Sequence, residues 1–232
     1  MKAIITAAGR GSRLGALTRF RPKGLLPING ESLIARQLRI LSSYGIHDVA
    51  IVTGYCAETV QQRFQGRVTF FNNPNYSTTT STGSLSIAMD FMDTDIIIMA
   101  CDTVFPQNAL QSLITNQQPY CLLVDTKQCD EEAVKVMVEG GKLLRAGKDV
   151  PAENALGEWT YISRIRKAGL DAYKEELQRS AVKKYGRSQI FMGLVARGLD
   201  VYCELLNEEW TEVDFVKDYV NAKRIFEKNQ PL

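Results

Sequence analysis

The chemistry-bearing residues of this chain fall into two groups, one suited to phosphate and one to a cation. The first is the string Ala7-Ala8-Gly9-Arg10-Gly11-Ser12-Arg13-Leu14, followed by Arg21-Pro22-Lys23. Glycines directly after a strand let backbone N–H groups turn toward a polyphosphate with no Cβ in the way. Arg13 and Lys23 add fixed positive charge where a departing pyrophosphate gathers negative charge. Gly9, Gly11 and Gly15 give G-x-G-x-x-x-G, one residue longer than the dinucleotide-binding fingerprint. No G-x-x-x-x-G-K-[ST] occurs, so the loop of that class is excluded. A plain strand-to-helix turn is the competing reading, and Pro22-Lys23 downstream weighs against it.

The second group is Asp102 and Asp214. Asp102 follows the apolar run Ile96 to Ala100, at the strand end where open α/β sheets bind ligands. A carboxylate there can hold Mg2+, which takes one or two protein carboxylates and shares its other positions with phosphate and water. Asp214, in Trp210-Thr211-Glu212-Val213-Asp214, can emerge at a strand end while Val213 is buried. Helix capping is the alternative for each aspartate. Other chemistry is scarce. The single histidine, His47, lies in a helix-to-strand turn, so histidine-ligated zinc and Ser-His-Asp catalysis lose most of their support.

These residues need a scaffold, and the chain alternates strand and helix from its start. Lys2 to Thr6 is an apolar strand, then a long loop runs from Ala7 to Lys23, and a helix spans about Ser32 to Tyr44. Strands follow at Asp48 to Thr53 and Val68 to Phe71, with a helix near Glu58 to Phe64 between them. Asn72 to Thr82 is polar and reads as a loop leading into a helix. Asp95 to Ala100 is the central strand. Alternation of this kind implies a mostly parallel sheet with right-handed crossovers. Beyond it, Tyr120 to Asp125, Ala133 to Val138, Lys142 to Arg145 and Trp159 to Ile165 read as strands joined by turns. A long helix over about Leu170 to Lys184, a segment at Leu199 to Leu206, a strand at Trp210 to Val213 and a helix from Val216 to Glu227 complete the chain. With no repeat or linker, a single domain over residues 1–232 is expected, residues 1–119 forming the nucleotide-binding half and 120–232 the acceptor half.

The bulk numbers agree with a globular enzyme. At 232 residues and a formal charge of +2, the chain can bury a sizeable core but has no field that argues for nucleic acid or membrane. Five scattered cysteines with no C-x-x-C spacing fit reduced thiols, and no segment has the length of a signal sequence or membrane span. A cytoplasmic protein is expected.

Ala7 to Leu14 with Arg21-Pro22-Lys23 closely resembles the signature of the sugar-phosphate nucleotidyltransferase superfamily. That resemblance implies an α/β fold of the nucleotide-diphospho-sugar transferase type: a Rossmann-like, mixed, mostly parallel sheet flanked by helices. It also implies transfer of a nucleoside monophosphate from an NTP to a phosphate. Lys23 matches the superfamily's lysine, Asp102 and Asp214 match its two Mg2+ aspartates, and Glu212-Val213-Asp214…Asp218-Tyr219…Ala222 is similar to its C-terminal signature. Ala7, Ala8, Gly9, Arg10, Gly11 and Ser12 would then cradle the triphosphate. Asn72-Asn73-Pro74-Asn75-Tyr76…Thr82-Gly83-Ser84-Leu85 is similar to the region lining the nucleotide, with Thr82, Gly83 and Ser84 as contacts.

Gly157 to Ser163, preceded by Gly147-Lys148-Asp149, is similar to the acceptor region of the small cytidylyltransferases, a branch acting on phosphocholine, 2-aminoethylphosphonate and inositol phosphate. By that resemblance CTP is the donor and a small phosphorylated or phosphonylated molecule the acceptor. A homodimer is compatible with it. Trp159, Tyr161, Glu158, Asp125 and Tyr76 are candidates to enclose an ammonium group. Lys148 is a candidate for the acceptor phosphate, and the Arg187-Ser188-Gln189 turn, after a basic helix end, is a candidate to face the same cleft. For each, core packing, a sheet-end cap or a solvated loop is the alternative. Within the class, a sugar-1-phosphate enzyme using UTP or dTTP is the rival; outside it, a nucleotide-sensing regulatory subunit.

Overall fold

In the computed structural model, which describes residues 1–127 and 129–227, the alternation appears as β1 Lys2–Ala7, β2 Pro27–Ile28, β3 Glu31–Ser32, α1 Leu33–Ser43, β4 Val49–Thr53, α2 Ala57–Phe64, β5 Thr69–Asn72, α3 Ser81–Ser86 and β6 Ile96–Ala100. The second half adds β7 Thr103–Val104, α4 Gln111–Thr115, β8 Tyr120–Asp125, β9 Lys135–Glu139, β10 Lys142–Gly147, β11 Gly157–Ile165, α5 Leu170–Val182, α6 Ser188–Ala196, β12 Val201–Leu206, β13 Thr211–Glu212 and α7 Val216–Glu227.

Nine strands form one sheet in the order β5-β4-β1-β6-β11-β8-β12-β10-β9. The first four are parallel, whereas β11 runs antiparallel to both β6 and β8. The sheet is therefore mixed, parallel where the chain alternates strand and helix and mostly antiparallel beyond. Its side chains alternate by face, as a period of two requires. Ile96 and Ile98 join the core beneath α3, α5 and α6, while Ile97 and Met99 join the core beneath α1, α2 and α4. Burying each such side chain contributes about 1.5–3 kcal/mol. Helix α1 starts where Ser32 accepts a hydrogen bond from the Ala35 N–H and presents Leu33, Ile34, Leu38 and Leu41 inward.

The chain runs outward from β1 through β4 to β5, then returns to place β6 on the other side of β1. That reversal leaves a crevice beyond the carboxyl ends of β1 and β6, the usual ligand position in open α/β sheets. A third, smaller core of Leu14, Leu26, Ile28, Leu33, Val104, Val213, Tyr219, Ala222 and Phe226 ties α7 and the glycine loop to this end of the sheet. Tyr219 also donates from its hydroxyl to the Pro27 carbonyl at 2.6 Å. Among the described residues, no helix is long and apolar enough to cross a membrane.

Candidate active site

The crevice is a cleft of about 620 Å³ whose walls come from both halves of the chain. On one side lies the glycine loop. Gly11 adopts φ 65° in the left-handed region before a 3-10 turn at Ser12–Thr18, and its carbonyl accepts from the Thr18 hydroxyl at 2.8 Å. Gly54, after β4, approaches so closely that a Cβ there would meet the Ala8 carbonyl oxygen at 2.7 Å, so only glycine fits without displacement.

Asp102 and Asp214 are 112 positions apart, and a short strand pair joins them: β13 lies antiparallel to β7, with Glu212 opposite Thr103. The Val213 N–H donates to the Asp102 carbonyl at 3.0 Å, closing the pair. The buried Gln37 side chain on α1 donates to the carbonyls of Ala100 and Thr103, at 2.8 and 2.9 Å, and so brackets Asp102. Asp218 accepts from the N–H groups of Asp214 and Phe215, which fixes the start of α7.

Asp102, Glu212 and Asp214 therefore converge, with one ligand oxygen from each lying within 4.8 Å of the others. The Lys23 ammonium sits between two of them, 2.6 Å from Asp102 Oδ2 and in hydrogen-bond contact with Asp214 Oδ1, and Arg13 pairs with Asp214 Oδ2. Burial alone would depress the Lys23 amine, but Asp102 and Asp214 outweigh it and hold the amine above its ordinary value. Burial, reinforced by Asp102 and Asp214, pushes the Glu212 carboxyl well up. Asp102 Oδ1 is buried without a hydrogen-bond partner. Three clustered carboxylates against two cations, with a buried orphan oxygen, are a donor set suited to a hard divalent cation. Glu212 was not anticipated. The alternation of Thr211-Glu212-Val213-Asp214 carried the signal, because in a strand Glu212 and Asp214 share a face.

The other anticipated residues divide. Ala8, Gly9, Gly11, Ser12, Arg13, Tyr76 and Ser84 line the cleft; Ala7 is buried behind it, and Arg10 lies over the Tyr55 ring, outside the lining. Thr82 and Gly83 do not line it. Thr82 is fully buried and donates to the Tyr185 carbonyl at 2.6 Å, while Gly83 packs on Thr79. The helix begins at Ser81, so the residues of its cap, Thr79, Thr80 and Ser81, face the cleft together with Ser84.

At the acceptor end, Glu158, Tyr161 and Lys148 line the cleft, and Lys148 pairs with Glu132 at 2.8 Å. Trp159 does not. It is fully buried, its indole N–H donates to the Ile162 carbonyl at 3.0 Å, and its ring packs 4.8 Å from Tyr161 and 5.4 Å from Phe191. Asp125 is buried away from the cleft, where it accepts from the Trp210 indole N–H and the Lys127 backbone and closes the sheet end. Both are framework rather than walls. What Trp159 supports is a bulge in β11: the register against β8 shifts between Trp159 and Ser163, and Tyr161 takes φ 58°. A bulge re-aims side chains, and this one turns Tyr161 toward the cleft.

Arg187, anticipated only as part of a turn, is the buried cation of this wall. It donates to the Tyr161 carbonyl at 3.1 Å and lies 5.2 Å from the Trp159 ring centre, yet its Nε has no hydrogen-bond partner among the described residues. No carboxylate pairs with it among the described residues. Burial pushes the Glu158 carboxyl up to about 7, opposed by Lys127 and reinforced by Asp130 and Asp125. The sole histidine, His47, meets Ser42 at the surface, far from this chemistry.

Comparison with known proteins extends this geometry. Residues 3–183 match the MobA-like NTP transferase domain. A Streptomyces rubellomurinus CMP-5'-(3-aminopropyl)phosphonate synthase is 34% identical over 118 residues, covering 49% of this chain but only 19% of that protein. A Campylobacter jejuni CTP:phosphoglutamine cytidylyltransferase is 26% identical, covering 94% of this chain and 97% of the relative. A Haemophilus influenzae choline-phosphate cytidylyltransferase is 28% identical, covering 94% of each. Among solved structures, a Bacillus anthracis chain described as a glucose-1-phosphate thymidylyltransferase superposes with a TM-score of 0.84 at 19% identity, covering 100% of this chain and 97% of that one. At that identity it shows the fold alone.

Proposed function

The chain belongs to the family of MobA-like NTP transferase domains, and from that premise we propose that it transfers CMP from CTP to a small phosphorylated or phosphonylated acceptor and releases pyrophosphate. The observation that carries this reading is the convergence of Asp102, Glu212 and Asp214 beside the glycine loop. CTP is favoured over UTP or dTTP because relatives matched over nearly the whole chain are cytidylyltransferases.

An oxygen of the acceptor attacks the α-phosphorus of CTP; that P–O bond forms as the bond to the β-phosphate bridge breaks. A phosphate monoester has a second pKa of about 6, so the attacking oxygen is already ionised at neutral pH and needs no base. The cleft's lack of a histidine agrees with this. Asp102, Asp214 and Glu212 would hold Mg2+, which when bound would neutralise charge on the phosphates and help orient them. Lys23 and Arg13 stabilise the triphosphate and the leaving pyrophosphate, and the turn from Ala8 to Ser12 cradles them. Residues 1–119 supply most of the nucleotide wall and 120–232 most of the acceptor wall, within one domain that works in the cytoplasm.

The acceptor's phosphoryl or phosphonyl group is assigned to Arg187 and Lys148, and a cationic end of the same molecule to Glu158 and Tyr161. Arg187→Gln is expected to raise the acceptor KM by about ten- to a hundredfold, the scale of one charged hydrogen-bonding contact, with the CTP KM changed far less. Two-substrate kinetics check this.

A pH effect follows from Glu158. Its ordinary range ends near 4.5, and in the cleft it ionises at about 7. Only the ionised form attracts a cation, so KM for a cationic acceptor falls as pH rises through about 7, and Glu158→Gln flattens that profile. An acceptor with no cationic group shows no such fall.

Pyrophosphate release, measured with each of four NTPs against phosphocholine, aminoethylphosphonate, inositol phosphate, glycerol phosphate and a sugar 1-phosphate, tests the proposal. Release with CTP and one of the first four supports it. Release only with UTP or dTTP and the sugar phosphate favours the sugar-nucleotide reading, and no release with any pair favours a sensor.

A further inference from the structure

Lys23 is in an unusual place for a residue whose work is to bind phosphate. The residue is only 7% exposed overall, and its ammonium, at the cleft wall, bridges two carboxylates. Arg13, the other cation of the loop, is also turned onto Asp214. A divalent ion bonded to those two carboxylates would lie beside two like charges that already engage three of their four oxygens, all but Asp102 Oδ1. The Glu212 side chain makes no hydrogen bond or ion pair among the described residues, so neither Lys23 nor Arg13 engages it directly.

We infer that Lys23 is the resident counter-cation of the Asp102–Glu212–Asp214 cluster, and that the triphosphate draws it off, so the cluster accepts a divalent cation with the nucleotide and resists one alone. This rests on the cluster being the metal site of the proposed reaction. The stem of Lys23 supports the exchange. It lies along Gly11, where a Cβ would sit 3.2 Å from Lys23 Cβ and 3.3 Å from Cδ. The ammonium is therefore carried on four flexible methylenes running past the glycine turn, a stem able to swing its charge between the carboxylates and that turn. Arg13 has the same choice from the adjoining turn. A polyphosphate on the loop offers both cations a competing anion and uncovers the three acids in the same act.

The test is Mn2+ binding followed by electron paramagnetic resonance, with and without a non-hydrolysable CTP analogue, in the wild type, Lys23→Met and Asp102→Asn. Without nucleotide, the wild type should bind Mn2+ weakly and Lys23→Met at least roughly tenfold more tightly, the scale of removing one like charge from a half-buried site. With the analogue, the wild type should bind tightly and Asp102→Asn should not. If Lys23→Met folds only when Mn2+ is present, the metal is replacing the ammonium, which supports the exchange. Asp102-dependent binding in the nucleotide-free wild type that equals binding with the analogue overturns it, whether or not the variant folds. Lys23→Met binding no tighter than the wild type overturns it as well. Loss of any Asp102-dependent binding, with or without analogue, overturns the metal assignment itself.

Discussion

Asp102→Asn is expected to lower kcat by on the order of 10²- to 10³-fold at saturating Mg2+ and CTP, the loss typical of removing one preorganised charged contact at a reacting phosphate. The substitution keeps the side chain's size and removes its charge, so it separates ligation from packing. It leaves Lys23 paired with Asp214 alone, and breaking one side of that buried contact also lowers stability. Asp214→Asn should behave alike, although it also releases Arg13. With both carboxylates on one ion, as proposed, the double variant should lose far less than the sum of the single losses. Steady-state rates with thermal melts of each variant check this, and an Asp102→Asn enzyme with full activity contradicts the metal assignment.

The second large effect falls on stability. Trp159→Ala should cost about 3–5 kcal/mol, the range for emptying a buried aromatic site. Trp159 is fully buried between Phe191, Tyr161 and Arg187, and its N–H donates to Ile162 across the bulge. Cavity and bulge are lost together, so melting temperature should fall by roughly 2–4 °C for each kcal/mol. Acceptor KM should rise more than CTP KM, because Tyr161 and Arg187 rest on this ring while the glycine loop does not. Denaturant unfolding and two-substrate kinetics separate the two consequences. Trp159→Phe, which keeps the aromatic contact and loses the N–H, should recover most of the stability.

The parallel half of the fold was legible because its signals are local. A run such as Ile96-Ile97-Ile98-Met99 can be buried on both faces only in a sheet covered on both sides, and the loop that follows β1 announces a phosphate. Helix α6 was missed for the opposite reason. Ser188-Gln189-Ile190-Phe191-Met192-Gly193-Leu194-Val195-Ala196 is apolar nearly all round and contains a glycine, so no amphipathic period marks it. The two aspartates proposed to hold the metal were legible singly, but what joins them is a two-residue strand pair whose partners are over 100 residues apart. Trp159 and Asp125 show the limit from the other side. Their types suit a cationic acceptor, and only tertiary placement reveals that one supports a bulge and the other receives the Trp210 indole N–H. Thr82 and Thr80 differ by two positions, yet one is buried and the other opens on the cleft; that difference depends on where the α3 cap falls, which sequence periodicity sets only within a few residues.

The most direct measurement is the anomalous signal of Mn2+ in crystals grown with a non-hydrolysable CTP analogue. A single strong peak is expected within bonding distance of Asp102 and Asp214, between them and the phosphates resting on the glycine turn, with Lys23 moved onto those phosphates. A nucleotide seated in the cleft with its metal elsewhere, and the Lys23 ammonium still lodged between the two aspartates, would contradict that expectation.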